Sequence, residues 1–294
     1  MFSESDIVFA LATNVCVTDI PRIRHTVKSW IRTFGDSLER ISITVDTQPP
    51  SGRIASLHSG TDTLATLNNE LDTLMAYDSR IMTAEFRLGD ALTPMAKRWF
   101  KQGVPVRCQD GTPILAFIHA IEATDSAIVL RADCDMLFHE AGWLADGIAK
   151  LRDNVLDLVE PPHLGGIRGP CIISTRALLL SPPRFYQRCL PIVAHRLDLL
   201  RQIHRRIRSR PIWLALEQML TIEMRSGRIR YNILPESTGF SLHIPTRQDA
   251  ALPWFSEVVH AVEIGAIPDE QLKAGWDFVR SAWSQMRRDV KVSH

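Results

Sequence analysis

Residues 7–46 set two continuous apolar or nearly apolar runs on either side of a helix-patterned stretch, and this restricts the fold more than any other feature. Ile7-Val8-Phe9-Ala10-Leu11-Ala12 carries no polar side chain, as a strand buried on both faces requires. Thr18-Asp19 followed by Pro21 is a helix start. Ile20, Ile23, Val27, Trp30, Ile31 and Phe34 then recur at helical spacing until Gly35 stops the run. Ile41-Ser42-Ile43-Thr44-Val45-Asp46 is a second strand that closes on a carboxylate. A β-α-β unit of this kind is a crossover between parallel strands.

The pattern continues downstream. Thr47 to Gly60 is rich in Pro, Ser and Gly and reads as a loop. Leu64, Leu67, Leu71, Leu74 and Met75 mark a helix, and Met82 to Phe86 a short strand. Gly111-Thr112-Pro113 opens a helix whose buried face is Ile114, Leu115, Phe117, Ile118 and Ile121, and a strand over 127–132 follows. Strands and helices in this order predict an α/β fold, with a doubly wound, mostly parallel central sheet flanked by helices. Further on, a helix is expected over Gly142–Leu151, a break at Glu160-Pro161-Pro162, and a strand edge at Cys171-Ile172-Ile173. A helix over about Trp213–Arg225, a strand over Arg228–Leu234 and a short one over Phe240–His243 come next. In the tail, Leu272, Trp276, Val279, Trp283 and Met286 form one helical stripe, expected to pack on the same domain or against a second copy in a homodimer.

The chemistry concentrates at Asp133-Cys134-Asp135, directly after the apolar Ala127-Ile128-Val129-Leu130. Residues i and i+2 of a strand share a face, so a strand continuing through the pair would point both carboxylates one way at its C-terminal end. That end of an open α/β sheet is where ligands bind. Two close carboxylates are costly there unless a cation or protons neutralise them. Hard oxygen ligands suit Mg²⁺ or Mn²⁺, usually shared with substrate phosphates.

Composition excludes several classes. The 294 residues can bury a full core, and 45% hydrophobic with 23% charged residues is ordinary for a globular protein. A net charge of +1 gives no global pull toward nucleic acid, and none is expected as a partner. Cys16, Cys108, Cys134, Cys171 and Cys189 are scattered and odd in number, which suits free thiols in a reducing compartment. The acidic start Met-Phe-Ser-Glu-Ser-Asp is unlike a signal peptide, and no apolar stretch nears the ~18 residues of a membrane span. A cytoplasmic protein is the expectation.

Three segments resemble the GT-A superfamily of nucleotide-sugar glycosyltransferases, in its family 2-like form, over roughly residues 6–245. One is Phe9-Ala10-Leu11-Ala12-Thr13-Asn14 closing the first strand, with Asp46 closing the second. Another is Ile128 through Phe138, similar to the superfamily's strand followed by D-x-D. The last is Leu216-Glu217-Gln218-Met219, then Arg225-Ser226-Gly227-Arg228-Ile229, then His243, in the order of the acidic helix, the R-x-x-G turn and the late metal-ligand histidine of inverting members.

The resemblance implies a donor half over about 1–138, an acceptor half over about 139–245, and a helical extension at 246–294. Ala12, Thr13, Asn14, Asp46, Arg131 and Asp133 would line the nucleotide site, with Asp46 accepting from the base and Asp133 touching the ribose or a metal-bound water. Asp135 would ligate Mn²⁺ or Mg²⁺, with Asp133 and with His243 from the far side of the cleft. Glu217 would be the catalytic base, and Gly165 and Gly166 would meet the acceptor. Gln218 departs from the pattern, because many members carry Asp there. The implied reaction is metal-dependent transfer of a sugar, a hexose by expectation, from a UDP-sugar to an acceptor hydroxyl, with inversion.

Two other readings compete. A haloacid-dehalogenase-like phosphatase also sets D-x-D after an apolar strand, but it wants a small hydroxylated residue where Leu137 stands, and its motif opens the domain. A non-catalytic glycosyltransferase-fold binding protein is kept open by Gln218. Apart from these, Arg184, Arg188, Arg196, Arg201, Arg205, Arg206, Arg208 and Arg210 face one acid, Asp198, within residues 184–210. That stretch reads as a solvated helix face, a phosphate-clamping flap on the acceptor side, or a contact for an anionic membrane surface.

Overall fold

The structure, a computed structural model, describes residues 7–49, 63–87, 94–101, 107, 114–139, 141–164, 173–208, 212–234 and 240–243. At 94–96, 139, 163–164, 240, 242 and 243 it describes the main chain alone. Most of the expected 47–60 loop, Gly111-Thr112-Pro113, Gly165, Gly166, Cys171-Ile172 and the 246–294 extension with its Trp stripe lie outside the described residues.

Strand β1 (Phe9–Val15), helix α1 (Ile20–Phe34) and strand β2 (Leu38–Asp46) form the expected crossover, with β1 and β2 parallel. Pro21 lies in the first turn of α1, and Gly35 ends it at φ +50°, where its N–H donates to the Ile31 carbonyl. Helix α2 (Leu64–Tyr77), whose Thr63 side chain accepts from Thr66 N, leads to β3 (Ile81–Phe86), parallel to β2. Helices α3 (Pro94–Trp99) and α4 (Ile114–Glu122) precede β4 (Val129–Ala132), which pairs parallel to β1. Beyond it come β5 (Met136–His139), α5 (Trp143–Arg152), β6 (Leu158–Glu160), β7 (His163–Leu164) and β8 (Ala177–Leu180). Helices α6 (Pro182–Cys189), α7 (Leu199–Ile207) and α8 (Leu216–Arg225) follow, then β9 (Tyr231–Ile233) and β10 (Phe240–His243).

The main sheet has seven strands in the order β3-β2-β1-β4-β8-β6-β9, mostly parallel, with β8 antiparallel to both neighbours. Strands β5, β10 and β7 make a separate small sheet. Alternation along the main strands divides the core between two faces. Leu11, Ile43, Leu130, Val159 and Leu179 join one cluster with α1, α2 and α5. Leu158, Leu178 and Leu180 join the other with α4, α6 and α8. Helices therefore cover both faces, as the order of elements predicts. In α5 a Cβ on Gly147 would lie 2.9 Å from Leu179 Cδ2, so the glycine lets this helix close onto β8.

Some boundaries differ from expectation. Strand β1 runs on to Val15, because Thr13–Val15 keep pairing with Ile43–Val45 after the apolar run has ended. Strands β6 and β8 are too short for periodicity to reveal. The 228–234 stretch narrows to β9. Helix α8 begins at Leu216, not Trp213, because Trp213 bridges Arg196 and Leu214 N donates to the His195 carbonyl.

Candidate functional site

The order of strands reverses between β1 and β4, and this is where an open α/β sheet leaves a crevice at its carboxyl edge. Ala12 pairs with Arg131, so Asn14 stands level with Asp133 across the crevice. Arg131 is buried, its guanidinium 4.3 Å from the centre of the Phe117 ring on α4. It donates to Asn14 Oδ1, to Asp133 Oδ1 and, at 3.1 Å, to the Thr175 carbonyl. One cation thus ties together both strand ends and the segment leading into β8. Ala12 packs with Ala120 and Val129 beneath it. Thr13 is fully buried on the face of Leu11 and Val15, and its Oγ1 has no hydrogen-bond partner among the described residues.

The expectation that both D-x-D carboxylates share a strand face is corrected. Strand β4 ends at Ala132; Asp133 N still donates to the Arg176 carbonyl at 2.7 Å, and Met136 N then donates to the Asp133 carbonyl at 3.0 Å, closing a turn. The chain must turn here because Met136–His139 pairs with β10 in the other sheet. Side chains on a turn do not alternate by twos. The Asp133 side chain stays 34% exposed, whereas Asp135 is 5% exposed. Helix α1 holds the turn in place: Trp30 Nε1 donates to the Met136 carbonyl at 2.7 Å and Thr33 Oγ1 to the Phe138 carbonyl at 3.1 Å.

Asp19, at the start of α1, is a neighbour that sequence reasoning treated only as a cap. Burial pushes its carboxyl above the usual carboxylate range and the Asp135 charge adds to this, against hydrogen bonds from Cys16 N and the Cys134 thiol. His243 pairs with Met136 across β10 and β5, which brings its main chain beside the turn despite the distance in sequence. Its side chain lies outside the described residues. Among the described residues, no three His, Cys, Asp or Glu are grouped so as to hold a metal ion.

Asp46 closes β2 at the same edge of the sheet and is buried. Burial pushes its carboxyl up, while hydrogen bonds from Gln48 N at 3.0 Å and Gln48 Nε2 at 3.1 Å, with the charge of Arg107, pull it down. Next to it, Thr44 Oγ1 and His119 Nδ1 are 3.0 Å apart, and burial holds His119 below the usual imidazole range. His119 lay unremarked on the polar side of a strongly apolar helix.

Glu217 sits in the first turn of α8 and accepts from Thr175 Oγ1 at 2.6 Å. Thr175 therefore reaches Glu217 through its hydroxyl and Arg131 through its carbonyl. No pattern in Ile173-Ser174-Thr175 signals this. Gln218 accepts from Ala215 N at 3.1 Å and so serves as a helix cap. The Arg-rich segment separates into parts. Arg184 and Arg188 approach the fully buried Asp157 carboxylate at 3.2 and 3.8 Å, and Arg196 lies 4.7 Å from the centre of the Trp213 ring. Arg184, Arg188 and Arg196 thus have partners within the fold.

No known family's sequence profile matches the chain, and no curated protein matches it. Solved structures similar to it include the galactosyltransferase LgtC in complex with donor and acceptor sugar analogs, at 10% identity and TM-score 0.49, covering 89% of this chain and 98% of that one. The glycosyltransferase GlyE of Streptococcus pneumoniae TIGR4 is similar at 12% identity and TM-score 0.45, over 95% of this chain and 64% of that one. The mannosyltransferase PcManGT from Pyrobaculum calidifontis, in complex with GDP-Man and Mn²⁺, is similar at 11% identity and TM-score 0.45, over 88% and 63%. At these scores the likeness by itself decides nothing about function. No helix among the described residues is long and apolar enough to cross a membrane.

Proposed function

We propose that the chain is a glycosyltransferase of the GT-A type that moves a sugar from a nucleoside diphosphate donor, UDP-linked by preference, to an acceptor hydroxyl. The observation that carries this reading is the link from Asn14 through Arg131 to Asp133 at the switch-point crevice, continued through Thr175 to Glu217. Asp46 would accept a hydrogen bond from the base. Thr13, with its side chain turned into the core, would meet the nucleotide through its main chain together with Ala12 and Asn14. Arg131 would act chiefly by fixing Asp133 and Asn14.

We take the carboxylates of Asp133 and Asp135 at one turn, with His243 on the strand paired to Met136, as the donors for a hard divalent ion, since oxygen and imidazole donors are those such an ion takes. Asp135, Asp133 and His243 would hold Mn²⁺ or Mg²⁺, which when bound supplies charge neutralisation at the departing diphosphate. Glu217 would take the proton of the acceptor hydroxyl as its oxygen attacks the anomeric carbon from the face opposite the breaking bond to diphosphate oxygen. That in-line displacement inverts the centre. Gly165 and Gly166 are assigned to the acceptor side.

Thermal unfolding with UDP, GDP and ADP, each with and without Mn²⁺, tests the donor site. UDP with Mn²⁺ should raise Tm by roughly 5 °C at about 100 times Kd. Asp135→Ala should remove that rise while keeping the unliganded Tm. If no nucleoside diphosphate shifts Tm with metal present, the proposal fails.

A further inference from the structure

Helix α7 is the most exposed apolar element among the described residues. Leu199 is 70% exposed, Leu200 80%, Ile203 50% and Ile207 80%, and no residue of the helix is buried. At helical spacing these four side chains occupy an arc of about 100°. Arg201, His204, Arg205, Arg206 and Arg208 occupy the rest, with Gln202, and the helix carries no acid. Asp198, just before it, is the N-cap, accepting from Arg201 N at 3.0 Å.

The helix is held out from the body by a stapled base. Leu197 N donates to the Ile212 carbonyl at 2.9 Å, Leu214 N donates to the His195 carbonyl at 2.9 Å, and Arg196 bridges Trp213. The chain leaves and returns at one place, with the apolar arc on the excursion between. Four exposed aliphatic side chains in contact with water are unfavourable, so this face calls for a cover.

We propose that α7 is a membrane-surface anchor lying in the plane of a bilayer rich in anionic lipid, with Leu199, Leu200, Ile203 and Ile207 in the acyl boundary. A narrow apolar arc edged by arginines is the geometry of an interfacial helix, in which long basic side chains reach the headgroups while their stems stay apolar. Charge selects this occupant over a second copy, which would set two rows of arginines against each other. An anionic surface complements the basic residues that edge the apolar arc. The proposal is independent of the reaction catalysed.

Flotation of the full chain with vesicles tests it, using phosphatidylcholine alone and phosphatidylcholine with phosphatidylglycerol. The chain should partition onto the anionic vesicles at least about tenfold more strongly, and high salt should weaken the binding. Arg201→Gln with Arg206→Gln and Arg208→Gln should lower partitioning on the order of 100-fold. Leu200→Asp with Ile207→Asp should abolish it, with circular dichroism unchanged because both side chains are exposed. Absence of wild-type partitioning overturns the proposal, as does partitioning that survives both variants. Concentration-dependent dimerisation lost in the same variants, without vesicle binding, assigns the face to a second copy and also overturns it.

Discussion

Arg131 and Thr175 decide how the candidate site is held. A buried guanidinium needs acceptors for its charge, and Arg131 finds them on β1, beyond β4 and before β8. Thr175 passes this order on to Glu217 through one hydroxyl. A hydrogen bond to a charged group contributes about 1.5–3 kcal/mol, so Thr175→Val should lower kcat for donor turnover roughly 10- to 100-fold with KM for the donor little changed. A variant that only lowers Tm would remove Thr175 from the positioning role. Asp46, Asp133 and Asp135 stand out in the sequence as acids that close a strand, and Glu217 only through the resemblance. Asp19, His119 and Thr175 do not, since each gains its meaning from a neighbour remote in sequence.

At the scale of elements, close approach of helix and sheet sets the two core faces. Gly147 is the contact point of α5: its Cβ position is 2.9 Å from Leu179 Cδ2, 3.4 Å from Leu234 Cδ1 and 3.5 Å from Val159 Cγ1. Alanine would gain up to about 1 kcal/mol of helix propensity, but overpacking a filled core costs about 1–3 kcal/mol. Gly147→Ala should therefore destabilise by up to about 2 kcal/mol, read as a lower urea midpoint at constant m. The crossover from β1 through α1 to β2 was legible because its periods are long and its breakers are Pro21 and Gly35. Strands β6 and β8 were not, because three or four residues carry no period of their own. The D-x-D turn escaped for a related reason: only the pairing of β5 with β10 forces the chain to leave the main sheet there.

Across the whole molecule, Asp157 fastens the start of β9 and α6 to the body. Its fully buried carboxylate receives Arg230 N at 2.9 Å, Arg230 Nη2 at 2.9 Å and Arg184 Nε at 3.2 Å. Burial pushes this carboxyl up, but the hydrogen bonds and charge of Arg230, with Arg188, hold it below the usual carboxylate range. A lowered carboxyl pKa stabilises the fold above the unfolded pKa, near 3.9, and that contribution disappears as pH falls through the folded value. Stability from this group should stay level from neutral pH down to about 5 and decline below about 4. Asp157→Asn should cost about 1–3 kcal/mol at neutral pH, because Arg184 loses its counter-charge inside the fold while Arg188 and Arg230, 46% and 36% exposed, keep access to water, and should flatten the acid decline seen in denaturant titrations. The chain's own pattern determined the class of architecture and the acids at its strand ends, because apolar period and breaker residues act over a few neighbours. The tertiary structure alone decided which of those acids is exposed, which arginines are internal and which face outward on α7, and that Glu217 is joined to Asp133 through Thr175 and Arg131. Those outcomes depend on contacts between segments far apart in sequence, and no local period records them.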